Sequence, residues 1–224
     1  MHAPAPQHAL GTAAPLTVLV TGFGPFPGAP FNPTEALVRK LTRLRRPAFA
    51  DVRLVGHVFR TSYAAVDAEL PELLARHRPQ VVLMFGLAAR TRHVRVETCA
   101  RNIRSRLLAD VAGTMPAAYR LDPGAPRVRR GRAPFEALRV AAGARGADVR
   151  LSHNAGRYLC NYLYWRAAAG GTAGSRAVVF VHVPLLRTAP ARTRGRARRR
   201  MTADDLLGAG EAILRALIGV ARKP

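Results

Sequence analysis

Cys160 lies in the segment LSHNAGRYLCNYLYW, near the start of a helix that follows a strand. A helix N-terminus favours negative charge, so a thiol there is placed to ionise and act as a nucleophile. Free cysteines also serve as buried packing residues, and both uses stay open on this position alone. His182 stands near the end of the apolar run AVVFVHV, just before Pro184. An imidazole there suits a general base, or a satisfied place in the core. Glu97 ends the alternating run HVRVE, where a carboxylate suits orienting an imidazole, or pairing with one of many arginines. Phe23 and Phe26 sit three apart in the Gly/Pro-rich stretch GFGPFPGAPFNPT. Rings held this rigidly clamp a flat apolar ligand or anchor the loop under the core. A thiol, an imidazole, a carboxylate and an aromatic loop are together the set a cysteine hydrolase needs. Other chemistries lack their residues. GFGPFP has no third glycine at dinucleotide spacing, and no GK[ST] loop, HExxH, CxxC or GxSxG occurs.

The elements that must position these groups follow from hydrophobic patterning. Residues 16–21, 52–58, 81–85, 93–97, 148–152 and 177–183 read as strands, and the run VVLMF is apolar throughout, as in a sheet covered on both faces. Helices are expected over about 34–43, 63–77, 135–142, 155–168 and 202–221, with Thr34 as a cap of the first and Thr202 of the last. Residues 105–132 show weak periodicity and read as a long excursion. Strands alternating with helices predict a single three-layer α/β/α sandwich, hydrolase-like, on a mostly parallel mixed sheet. Sites in such sheets lie at the carboxyl ends of strands. Residues 1–15 read as a flexible extension and 16–224 as one domain.

The 224 residues carry a net charge of +23, which invites a polyanion partner. Arginine supplies 34 of the 36 basic residues and is spread over every segment, as a GC-rich coding sequence would spread it. Non-specific binding to nucleic acid follows from the charge alone. The one dense cluster is RTRGRARRR at 192–200. No run approaches the ~20 apolar residues that cross a bilayer. Residues 1–15 lack the pattern of a signal peptide, and two cysteines make no disulfide framework. A reduced cytoplasm is the expected compartment.

Four segments, in order, resemble the pyroglutamyl peptidase type I family over residues 16–220. VLVTGFGPFPGAPFNPTEAL is similar to its TGFxPFxG loop and NP(S/T) helix start. GLAARTRHVRVETCARN is similar to its GxAxxR…ExxAxN segment, LSHNAGRYLCNYLYW to its nucleophile segment, and FVHVP to its histidine segment. The resemblance implies a Cys160–His182–Glu97 triad that removes N-terminal pyroglutamate through a thioester. It implies a lactam held by Phe23 and Phe26, a loop ordered by Asn32, and Leu159 lining the pocket. It implies no metal or organic cofactor and a homo-oligomer, tetramer or dimer. Several positions depart from the pattern. Leu87 replaces a frequent glutamine, Thr98-Cys99 replaces Arg-Val, and Gly24 and Pro27 differ in the loop. Leu107 stands where an oxyanion arginine is usual, leaving Arg106 as its neighbour and substitute. Two alternatives remain at this point: a divergent thiol amidase acting on another lactam or N-acyl amine, and a basic homologue that binds polyanions with weakened activity.

Overall fold

The computed structural model describes residues 15–26, 28–169, 174–186 and 200–223. The expected extension at 1–15 and the arginine cluster at 192–200 fall almost wholly outside them, at 1–14 and 192–199. Six strands form the central sheet: β1 (Leu16–Phe23), β2 (Val52–Phe59), β3 (Val81–Leu87), β4 (Val94–Glu97), β7 (Val149–Ser152) and β8 (Ala177–Val183). Their spatial order is β2-β1-β3-β8-β4-β7. Helices α1 (Pro33–Thr42), α3 (Phe135–Gly143) and α5 (Ala203–Ala221) cover one face, and α2 (Tyr63–His77) and α4 (Leu159–Ala167) the other. This is the expected α/β/α sandwich.

Alternation along each strand builds two cores. In β1, Val18 and Val20 face α1 and α5, whereas Leu19 and Phe23 face α2 and α4. In β8, Val179 and Val181 face the first side, and Val178 and Phe180 the second. Trp165, Tyr164 and Leu163 of α4 are fully buried, so this helix is anchored by large side chains all along its length.

As a mixed sheet requires, one strand is reversed: β4 runs antiparallel to β8 and parallel to β7, so the sheet splits into two blocks of opposite direction. Three features differ from the sequence reading. First, Asn32, not Thr34, caps α1. Its Oδ1 accepts from the Thr34 N–H at 3.1 Å, with Pro33 at the first helical position. The Thr34 hydroxyl instead bonds the N–H and carbonyl of Phe23, at 3.0 and 2.9 Å. Second, α4 starts at Leu159 rather than 155, because residues 153–158 form a loop after β7. Third, the end of the excursion pairs back with the chain just before it: β5 (Cys99–Arg101) lies antiparallel to β6 (Val128–Arg130). Strands of three residues carry too little pattern to be read from sequence.

The excursion returns to the core at Gly131. A Cβ on this residue would meet the Tyr164 hydroxyl at 1.9 Å and the Val178 carbonyl at 2.8 Å. That hydroxyl in turn donates to the Glu97 carbonyl at 3.0 Å. Gly131→Ala is therefore expected to push Tyr164 off its partner and lower stability by about 1–3 kcal/mol in urea unfolding.

Candidate active site

The sheet register lays one row of residues across five strands on the α2/α4 face. Phe59 pairs with Phe23. Two residues on from the Thr21–Met84 pair, Phe23 stands level with Gly86. Gly86 pairs with His182, and His182 with Arg95. Neighbouring strands lie about 4.8 Å apart, so each member of the row is one strand from the next. Above its centre sits Cys160, the second residue of α4. A Cβ on Gly86 would lie 2.6 Å from the Cys160 sulfur and 2.7 Å from Phe180. The sulfur thus occupies the space that a side chain at 86 would take, beside the Phe180 ring and one strand from His182.

Glu97 enters from β4. It pairs with Phe180, two residues before His182, and its Oε1 lies 2.7 Å from His182 Nδ1. A carboxylate only accepts, so Nδ1 carries the proton and Nε2, on the opposite side of the ring from Glu97, is left unprotonated. Glu97 has no exposed surface. Burial pulls its carboxyl up, but the bond to His182 and its charge, Ser152 opposite and Arg95 together hold it below the ordinary value.

Sequence reasoning missed Arg95. Its Nε is 3.2 Å from Glu97 Oε1, and its Nη2 is 3.2 Å from His182 Nδ1. The alternation of HVRVE held the signal, since Arg95 and Glu97 share a face two residues apart. Burial, opposed by the Glu97 contact and assisted by the Arg95 charge, places His182 below its ordinary value of 6.5. Burial and the charge of Glu97 push the Cys160 thiol up to about 12, against a lowering by Arg95 and the backbone. The backbone at the helix start lowers the thiol as expected, but burial and Glu97 outweigh it. The resting pair is neutral thiol and neutral imidazole.

The other candidates divide. Phe23 is not in the loop: it ends β1, is 2% exposed and packs 6.1 Å from Phe59. Phe26 is half-buried, in a tight turn closed by its carbonyl accepting from the Ala29 N–H at 2.8 Å. Asn32 is buried, and its Nδ2 donates to the Gly24 carbonyl at 3.0 Å, tying the aromatic loop to the start of α1. Leu159 is buried in the same cluster as Phe23. Arg106 is exposed, and the arginine whose charge reaches Cys160 is Arg95. Leu107 points to solvent at 87% exposure. Asn161, also missed, is buried and staples β5 to α4: its Oδ1 accepts from the Arg101 N–H at 2.8 Å. Cys99 and Cys160 are both free. Among the described residues no group of three His, Cys, Asp or Glu gathers as a metal site, and no helix is long and apolar enough to cross a membrane.

Comparison with known proteins identifies the family and the fold. A family model described as pyroglutamyl peptidase matches residues 16–218. Pyrrolidone-carboxylate peptidase 1 of Ralstonia nicotianae is 32% identical over 199 residues, covering 87% of this chain and 88% of the relative. The corresponding protein of Gloeobacter violaceus is 29% identical over 183 residues, covering 81% and 88%. The solved pyrrolidone carboxyl peptidase of Thermococcus litoralis superposes with a TM-score of 0.80 at 26% identity, over 91% of this chain and 94% of that one.

A neutral resting thiol makes a definite prediction. The rate of Cys160 alkylation by iodoacetamide, followed by mass spectrometry, should still be climbing above pH 9. A plateau near pH 6–7 would instead mark a preformed thiolate–imidazolium pair.

Proposed function

Because this chain belongs to the pyroglutamyl peptidase family of cysteine hydrolases, we propose that it removes N-terminal pyroglutamate from peptides with Cys160 as nucleophile, His182 as base and Glu97 as its orienting partner. The observation that carries this reading is the 2.7 Å contact of Glu97 with His182 Nδ1, one strand from the glycine on which the Cys160 sulfur rests.

In the proposed reaction His182 Nε2 takes the thiol proton as the sulfur adds to the carbonyl between pyroglutamate and the next residue. A resting thiol near 12 makes this transfer part of the attack rather than a step before it. Glu97 stabilises the imidazolium that forms. Collapse of the tetrahedral intermediate breaks the C–N bond, and the leaving amine takes the proton from Nε2. Water, deprotonated by the same nitrogen, then hydrolyses the thioester and frees pyroglutamate. Cys160 occupies the first turn of α4, whose N-cap Tyr158 makes no side-chain cap, so amide N–H groups at this end are available to the oxyanion. Arg106 is exposed and takes no part in the bond-making steps of this scheme. Phe26 offers its half-buried ring to the flat, neutral lactam, while Phe23 and Leu159 form an apolar floor. To the same reading belong a homo-oligomeric state and a cytoplasmic location, where both thiols stay reduced.

Hydrolysis of pyroglutamyl-7-amido-4-methylcoumarin in reducing buffer tests the proposal. Turnover should vanish in Cys160→Ala and fall about 10⁴-fold in Glu97→Gln, which cannot hold the imidazole in the same charge environment. No turnover by folded wild type would move the thiol chemistry to another amide.

The pH profile tests Arg95. The working base is neutral His182, so kcat/KM falls as pH drops through the His182 pKa, which lies below 6.5. Arg95→Met removes a cation beside the imidazole, so its acid limb should move to higher pH. Arg95→Lys should keep the limb near the wild-type position.

A further inference from the structure

The leaving peptide must depart past the N-terminal end of α4, where Cys160 stands. One stretch of chain roofs that end. Asn161 Nδ2 donates to the carbonyls of Arg101 and Ile103, at 2.8 and 2.9 Å. The Ser105 N–H donates to the Arg157 carbonyl, and the Tyr158 hydroxyl to that of Ala109 at 2.9 Å. Residues 101–109 are thus clamped at three points to residues 157–161, the segment that carries the nucleophile. An extended peptide rises about 3.3 Å per residue, so its first two or three residues beyond the scissile bond pass this clamp.

The clamp carries charge that the protein does not balance. Arg104 and Arg106 flank Ser105, and the Ser105 N–H donates to the Arg157 carbonyl, so three arginines lie on two adjoining stretches of backbone. None of them forms an ion pair among the described residues: Arg104 Nε donates to the Ala118 carbonyl at 2.8 Å, Arg157 stands over the Tyr119 ring at 5.8 Å, and Arg106 and Arg157 are exposed. The carboxylates around them are committed elsewhere. Asp110 accepts from the N–H groups of Tyr63, Ala112 and Thr114. Asp67 takes the Tyr162 hydroxyl at 2.6 Å and Arg166, and Asp122 faces Arg129 at 3.8 Å. Exposed guanidiniums without a carboxylate partner concentrate anions and match carboxylates in planar, two-point contact.

We propose that Arg104, Arg106 and Arg157 form a subsite for the leaving peptide, which makes this protein selective for pyroglutamyl peptides whose following residues are acidic. The proposal rests on the hydrolysis reading above and adds the substrate class. Its readout is a ratio, kcat/KM for pGlu-Glu-Glu-amide over that for pGlu-Lys-Lys-amide. At low salt the wild type should favour the acidic peptide about tenfold or more, and about 0.3 M salt should shrink the preference several-fold. In the Arg106→Gln/Arg157→Gln double variant the ratio should approach one. A wild-type ratio near one at low salt, or a ratio that ignores the double variant, overturns the proposal even while the coumarin substrate is hydrolysed. Loss of turnover on every pyroglutamyl substrate overturns the hydrolysis reading instead. Calorimetric titration of both peptides into Cys160→Ala then decides the subsite without chemistry. Tighter binding of the acidic peptide, weakened by the added Arg106→Gln/Arg157→Gln pair, supports it, and equal Kd values sink it.

Discussion

A carboxylate with no surface in water is tolerable only among groups that answer its charge, and Glu97 places that demand at the centre of this molecule. Stranding such a charge would cost about 3–5 kcal/mol. His182 and Arg95 meet it from two strands at once, at 2.7 and 3.2 Å. The arrangement requires β4 to lie against β8 in one antiparallel register, since sliding by one residue would turn Glu97 and Arg95 into the opposite, wholly apolar core. The reversal of the β4–β7 block is therefore tied to the site. Glu97 reaches His182 sideways, by cross-strand pairing, and not from a loop at a strand's carboxyl end.

Around that pair the sheet acts as a ruler. A row of residues from Phe59 to Arg95 spans five strands, and its middle member is glycine. The absent side chain at 86 is filled by the Cys160 sulfur, so the depth of α4 on the sheet is set by a single missing carbon. Asn161, next along the chain, fixes the same helix to β5. One turn of helix is thus held from below by the sheet and from the side by the excursion.

Burial also decides protonation. A helix N-terminus lowers a thiol by the interaction of fixed dipoles with charge, an effect of about 1 kcal/mol that fades within the first turn. Removing a thiolate from water beside a carboxylate works in the opposite sense and wins here, with the thiol up to about 12. Burial disfavours charge on His182 and Arg95 acts in the same sense, while His182, Ser152 and Arg95 together favour the ionised form of Glu97. In the proposed mechanism the charge appears only as substrate is attacked.

The layer order, the strand and helix alternation and three reactive residue types were legible in the chain, because periods of two and of 3.6 survive in segments as plain as VVLMF and AVVFVHV. The family resemblance, not the local pattern, gave Asn32 as a residue that orders the loop, and its capping role was assigned to Thr34. Arg95 was visible only as the inner arginine of an alternating run. What tertiary structure alone decided was which strands run against each other, which glycine lies beneath the sulfur, and which arginine faces the carboxylate rather than water. Those are properties of register and burial. Local sequence sets which face a side chain shares with its neighbours two residues away, but the partner across the sheet, and the dielectric around both, exist only once distant segments have packed.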